Sequence, residues 1–251
     1  MLEAPRRSGI GATLAALVCL CSSSAAHAQW SGHATASYGR GLGAISLSQG
    51  NLSLGRTVLR ERAARRTNGL PPVPARRDTA TLTYTPDPQL SEKIRVSMID
   101  LASAANPSSR PQWEKAIDGD AILRDFDNLM TAQGYSRLNF ADDVAMLLAV
   151  CWEIANDRDA SDAQVRGAHT QMRSVALSNP TLRALPGPER QALAESVAYQ
   201  VLFLYAAKIA ADRSGNQPQL AEVRESATKA ARQFGVDVSH MVLTDRGFRR
   251  P

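Results

Sequence analysis

Four side chains in the C-terminal half of the chain have the types and spacing for acid–base or binding chemistry. His169 and Arg173 stand four residues apart, as do Glu195 and Tyr199. On a helix that spacing puts each pair on one face. Glu195 interrupts a stretch, Leu193 to Ile209, that is otherwise largely apolar. Its carboxylate is therefore expected inside, where a charge is tolerated only when paired and hydrogen-bonded. If the two faces meet, Glu195 pairs with Arg173 and His169 lies beside them. Such a group has two readings. One is a ligand pocket or acid/base pair in which His169 carries the proton. The other, which the pattern favours, is an ion pair that fixes helix register. Trp152, with Trp113, is a candidate wall of a groove for a sugar or peptide, although large aromatics at helical spacing more often fill a core. The candidate binding residues are Glu195, Arg173, His169, Tyr199 and Trp152.

No familiar catalytic set accompanies them. The sequence contains no His-Glu-x-x-His, no Gly-x-Ser-x-Gly, no phosphate-cradling glycine loop and no Cys-x-x-Cys. The Glu-x-x-His pairs of di-iron bundles are also missing. Beyond residue 78 the only histidines are His169 and His240, so neither a metal nor a cofactor is expected. Cys151 lies in Val144-Ala145-Met146-Leu147-Leu148-Ala149-Val150-Cys151-Trp152 and reads as a small buried apolar residue rather than a nucleophile.

The chain that positions these residues opens with an export signal. Arg6 and Arg7 precede an apolar run, Ile10 to Leu20, and small residues end at Ala26-His27-Ala28. This is the order of a secretory signal peptide, with cleavage expected between Ala28 and Gln29. The run is about half the roughly 20 residues that a permanent membrane helix needs, so no transmembrane span is expected after cleavage. Val18 and Leu20, before Cys19 and Cys21, are too large for a lipidation site. Cleavage removes both cysteines, and the fold must rest on its core rather than on disulfides.

Residues 29–78 read as a disordered arm rich in Arg, Gly, Ser and Pro, too poor in apolar residues to offset chain entropy. Between Arg40 and Arg77 it carries eight arginines and one acid, Glu61. The whole-chain charge of +5 comes from here, because Asp78 to Pro251 holds 19 Lys plus Arg against 22 Asp plus Glu. A nucleic-acid binder should carry its basic patch on the fold, so nucleic acid is not an expected partner. The arm is either a solvated linker or a weak contact with an anionic surface.

Residues 79–251 read as one all-α domain, an antiparallel bundle-like array of about six helices with an extended C-terminal strap. Thr79 to Tyr84 is β-prone and should lie as a short extended segment against the helices. The first helix runs from about Gln89 to Ala105. The second runs from about Pro111 to Gln133 and is broken or kinked at Gly119. The third, from Asn139 to Asn156, is apolar nearly all round and should be central, with Asn139 as cap and Asp142 and Asp143 facing the dipole in its first turn. The fourth starts at Ser161 in a capping box with Gln164. The fifth, from Pro188 to about Arg213, reads as a buried core helix. The sixth, Gln219 to Phe234, is the most polar and should lie outside. The tail from Val236 can pack Val238, Met241, Leu243 and Phe248.

Several short motifs stand in a characteristic order. They are Asn139-Phe140-Ala141-Asp142-Asp143, Trp152-Glu153, Gln171-Met172-Arg173, Ala194-Glu195, Gly235-Val236-Asp237, and Leu243-Thr244-Asp245-Arg246-Gly247-Phe248. From Tyr84 to Phe248 the chain resembles a family of exported bacterial domains of unknown function, built as signal peptide, variable arm and all-helical C-terminal domain. The resemblance implies the fold and a periplasmic or secreted location, and no activity. With the missing catalytic set, the expectation is a non-enzymatic protein-interaction module of the cell envelope with a protein partner there. The alternative is a small-ligand binder or enzyme using the polar cluster between the fourth and fifth helices. Protein recovered from its native host should begin at Gln29 by intact-mass analysis; a mass that retains Met1 contradicts the export reading.

Overall fold

Most of the long helices begin where a side chain can cap them. The computed structural model describes residues 82–104 and 106–251. The expected signal peptide (1–28), the arm (29–78) and Thr79 to Thr81 lie outside the described residues. Helix α1, Pro88–Ser103, starts on Asp87, whose carboxylate accepts from the amides of Gln89 and Leu90. Helix α4, Phe140–Asn156, starts on Asn139, which accepts from Ala141. Helix α5, Asp162–Ser178, has the full capping box: Ser161 accepts from the Gln164 amide and Gln164 accepts from the Ser161 amide. Helix α8, Gln217–Arg232, starts on Asn216. The 28-residue α7, Gly187–Ser214, has no side-chain cap and ends at Gly215, whose φ of +61° suits glycine.

The expected helices form, with three differences in detail. The second divides into α2, Arg110–Ala116, and α3, Ala121–Ala132, around Gly119 at φ +48°. A single turn, α6, Pro180–Arg183, follows α5. The C-terminal strap is not simply extended. After a 3-10 turn at Val238–His240 it folds into an antiparallel hairpin of β1, Val242–Thr244, and β2, Gly247–Arg249, pairing Leu243 with Phe248. Gly247, at φ +98°, permits the tight turn, and the Thr244 hydroxyl both donates to the Gly247 carbonyl and accepts from the Arg246 amide.

The core is organised around α4. Every residue from Phe140 to Ile154 is buried, because α5, α7 and α8 all pack against this helix. Helices α1 and α3 cover the other side of α7, and α2 sits on α1. By length and composition α7 could cross a membrane, but 89% of its most apolar window is buried inside the fold, which marks it as a core helix. Helix α8 buries Leu220, Val223, Ser226, Ala227, Ala230 and Ala231 and exposes Glu222, Glu225 and Lys229 on its other face. The β-prone segment lies as expected where it is described: Thr83 bridges Asn139 in antiparallel fashion, and the Tyr84 amide donates to the Leu138 carbonyl.

The hairpin docks on one stripe of α5. Gln164 donates to the Leu243 carbonyl at 2.7 Å. The Gln171 amide accepts from the Phe248 N–H at 2.7 Å and donates to the Phe248 carbonyl at 3.0 Å. Between them Gly167 lets the turn approach: a Cβ there would lie 2.5 Å from the Gly247 nitrogen and 2.6 Å from the Asp245 carbonyl carbon. Since both neighbours are backbone, Gly167→Ala should cost about 1–3 kcal/mol through overpacking. Urea unfolding measures this; unchanged stability would mean the hairpin does not sit on α5.

Candidate functional site

Two buried polar clusters flank α4 and the start of α7, and they divide the residues singled out by sequence. The first joins α4 to α5. Asp142, in the first turn of α4, has no exposed side-chain surface. Its two oxygens accept from Nε and Nη2 of Arg173, each at 2.6 Å, a bidentate geometry. Nδ1 of His169 lies 3.3 Å from Oδ1. Tyr135 stacks on His169 with ring centroids 3.5 Å apart and planes within 1°. The Arg173 guanidinium covers the same Tyr135 ring at 5.5 Å. Burial works to raise the Asp142 pKa, but the hydrogen bonds and charges of His169 and Arg173 outweigh it and hold the carboxyl below its usual range.

The second cluster joins α1 to α7. Glu195 Oε1 accepts from the Ser91 hydroxyl at 2.8 Å and from the Gln191 amide at 3.0 Å. Gln191 is anchored in turn on the backbone of Asp87, accepting from its N–H at 2.8 Å and donating to its carbonyl at 2.9 Å. Burial raises the Glu195 pKa, partly offset by the Ser91 and Gln191 hydrogen bonds. Tyr199, one turn along α7, is buried against Phe203, and burial raises its phenol as well. A cleft of about 410 Å3 lies outside this cluster, between Thr83–Asp87 and the start of α7, with Tyr84 and Gln191 in its wall.

The expected pairing of Glu195 with Arg173 is thus corrected. Helix α4 packs against both α5 and α7, and it supplies its own acid, Asp142, to Arg173. His169 accompanies Arg173 to that acid and not to Glu195. Trp152 does not line an open groove with Trp113. Its indole donates to the Met241 carbonyl at 3.0 Å and both rings are buried, Trp113 edge-on to Phe203. Beside Trp152, Glu153 accepts from the Ala160 amide and the Tyr205 hydroxyl, tying α4 to its own following loop and to α7. Cys151 is fully buried and its thiol is pushed up by burial, away from nucleophilic use.

Asp142 and Asp143 are the residues that sequence reasoning misread. Acids in a first turn have a sufficient local explanation in the helix dipole, which hid their burial. The signal available was the run that follows: from Val144 to Ile154 every face of the helix is apolar save Glu153, so the first turn has no solvent side either. Asp143 is fully buried, and neither of its oxygens has a hydrogen-bond partner among the described residues. Among the described residues, no group of three or more His, Cys, Asp or Glu side chains is placed to hold a metal ion.

Fold and clusters together define an all-helical domain whose internal polar residues tie helix to helix. The chain belongs to the family of unknown function DUF6683, whose model matches residues 11–250. No curated protein and no solved structure matches it.

Removing Arg173 leaves the buried Asp142 charge with only His169 beside it, so Arg173→Ala should cost about 3–5 kcal/mol. Glu195→Gln keeps the Oε1 acceptor and should cost much less. Urea titrations of both at neutral pH check the order; equal losses would contradict the assignment of partners.

Proposed function

We propose that this chain is an exported, non-enzymatic protein-interaction module of the cell envelope. The observation that carries the reading is that the side chains best suited to chemistry are engaged inside the fold. Arg173 is taken up by Asp142, Trp152 by Met241, and Glu195 Oε1 by Ser91 and Gln191. Side chains held in this way fix helix positions; they do not present a nucleophile or base to a substrate. The N-terminal signal pattern and the cysteine-poor mature chain support export.

The described surface also indicates the kind of contact. Val242, at 38% exposure, is the one large hydrophobic side chain exposed among the described residues. A partner would therefore meet a polar face, as in interfaces of modest, reversible affinity. The arginine-rich arm at 29–78 adds a second, electrostatic contact for anionic surfaces. The small-ligand reading keeps one supporting observation: the cleft of about 410 Å3 whose wall includes Tyr84 and Gln191, the latter bonded to Glu195.

Photo-crosslinking in the native host tests the proposal, with probes at exposed positions such as Lys93, Glu222 and Arg246. Fractionation should place the chain outside the cytoplasm, and probes on one face should capture the same protein while others do not. Cytoplasmic location, or capture independent of probe position, contradicts it.

A further inference from the structure

Asp143 and Arg137 present an unusual pairing of needs. Both Asp143 oxygens and Nη1 of Arg137 are buried without a hydrogen-bond partner among the described residues. Buried polar atoms are nearly always satisfied, and an orphaned set calls for a physical reason. Asp143 is surrounded by other charges. Asp142 precedes it on α4, Asp127 comes from α3, Glu195 from α7, and Arg137 from the loop between α3 and α4. Across α4, His169 and Arg173 on α5 face Asp142. The Tyr84 phenol, from the segment before α1, lies within reach of Asp143, Glu195 and Arg137.

Only Arg137 among the groups acting most strongly on Asp143 is a cation; the Tyr84 phenol and Glu195 also act on Arg137, and its ion pair to Asp127 is a long one. Its Nε lies 3.7 Å from Asp127 Oδ1, and that carboxylate is half exposed. Arg137 therefore stands between an acid at the surface, Asp127, and two inside, Asp143 and Glu195. Burial opposes a negative charge on Asp143, and the three acids around it add to the opposition, so its carboxyl is held well above the usual carboxylate range. While it is neutral, it presents no negative charge to draw Arg137 away from Asp127.

We propose that Arg137 is a two-position latch, resting against Asp127 while Asp143 is protonated and turning inward to Asp143 when Asp143 ionises. The latch has something to move. The Arg137 carbonyl accepts from the Tyr84 hydroxyl at 3.2 Å, and the neighbouring Leu138 carbonyl accepts from the Tyr84 amide at 3.1 Å. Thr83 bridges Asn139 just beyond. The loop bearing Arg137 thus clasps residues 83 and 84, and Tyr84 also walls the cleft beside α7. Ionisation of one buried acid is thereby coupled to the grip on the segment through which residues 1–81 join the helical body.

The sign of the pH dependence follows. Native Asp143 binds its proton more tightly than the unfolded chain does. Its contribution is fully present below the unfolded midpoint and is lost as pH rises towards the native one. Between the two midpoints this residue alone raises the unfolding constant about tenfold per pH unit. Glu195, also raised, adds in the same direction; Asp142, lowered, acts only at more acid pH.

The test uses the full chain, Asp143→Asn and Asp127→Asn. Urea unfolding constants are measured from pH 5 to pH 9, and protection of residues 82–85 is followed by hydrogen exchange over the same range. Wild type should lose stability on the alkaline side, with protection of 82–85 changing in step. Asp143→Asn should weaken both, leaving only the share from Glu195, while Asp127→Asn should keep the pH dependence and shift the exchange change to lower pH, since Arg137 no longer has its surface acid. A pH profile of Asp143→Asn that overlays wild type overturns the proposal, as does an exchange pattern at 82–85 that ignores pH in wild type. If Asp143→Asn does not fold, the carboxyl carbon shift of Asp143 in wild type decides: an ionised signal at pH 5 overturns it, and a protonated one that ionises together with the exchange change supports it.

Discussion

A carboxylate with no exposed surface, at the head of the most buried helix, sets the terms for everything around it. Asp142 cannot remain ionised inside an apolar core without a cation delivered to it in the right orientation. Arg173 meets that need with a bidentate fork, backed by His169 and by the Tyr135 ring. Because a fork accepts one geometry only, this contact fixes both the rotation of α5 about its axis and its position along α4. The apolar contacts alone would tolerate neighbouring registers at smaller cost.

Once α5 is fixed, the rest of its surface has defined tasks. The stripe of Gln164, Gly167 and Gln171 faces the C-terminal hairpin and binds its backbone rather than its side chains. Trp152 and Asn156, from the far end of α4, hold the Met241 and Val238 carbonyls in the same manner. The strap thereby closes over α4 and α5 together, and burial of Val238, Leu243 and Phe248 seals it. On the opposite side, Gln191 and Glu195 perform the corresponding service between α7 and α1. Short polar motifs in this chain consequently mark places where one element grips another.

Much of this was legible in the sequence. Caps at Asn139 and Ser161, the break at Gly119, the all-round burial of the third helix and the inward tail residues follow from local rules. The pairing of polar residues did not follow, because it depends on which helix stands between which. Glu195 is buried and Arg173 half-buried, each needs a partner, and spacing along one helix carries no information about that partner's address. Asp142 was masked by an adequate local role in its first turn. The hairpin was missed for a related reason: its backbone groups are satisfied by Gln164 and Gln171, 79 and 77 residues earlier in the chain than their partners, long-range contacts with no local pattern.

Asp142 and Arg173 act as one unit that registers α4 against α5. A double-mutant cycle with Asp142→Asn and Arg173→Gln, read by urea unfolding at neutral pH, tests it most directly. Strong coupling is expected, with the double variant losing far less stability than the two single losses combined. Additive losses would contradict it and would mean that the helices find their register without the pair.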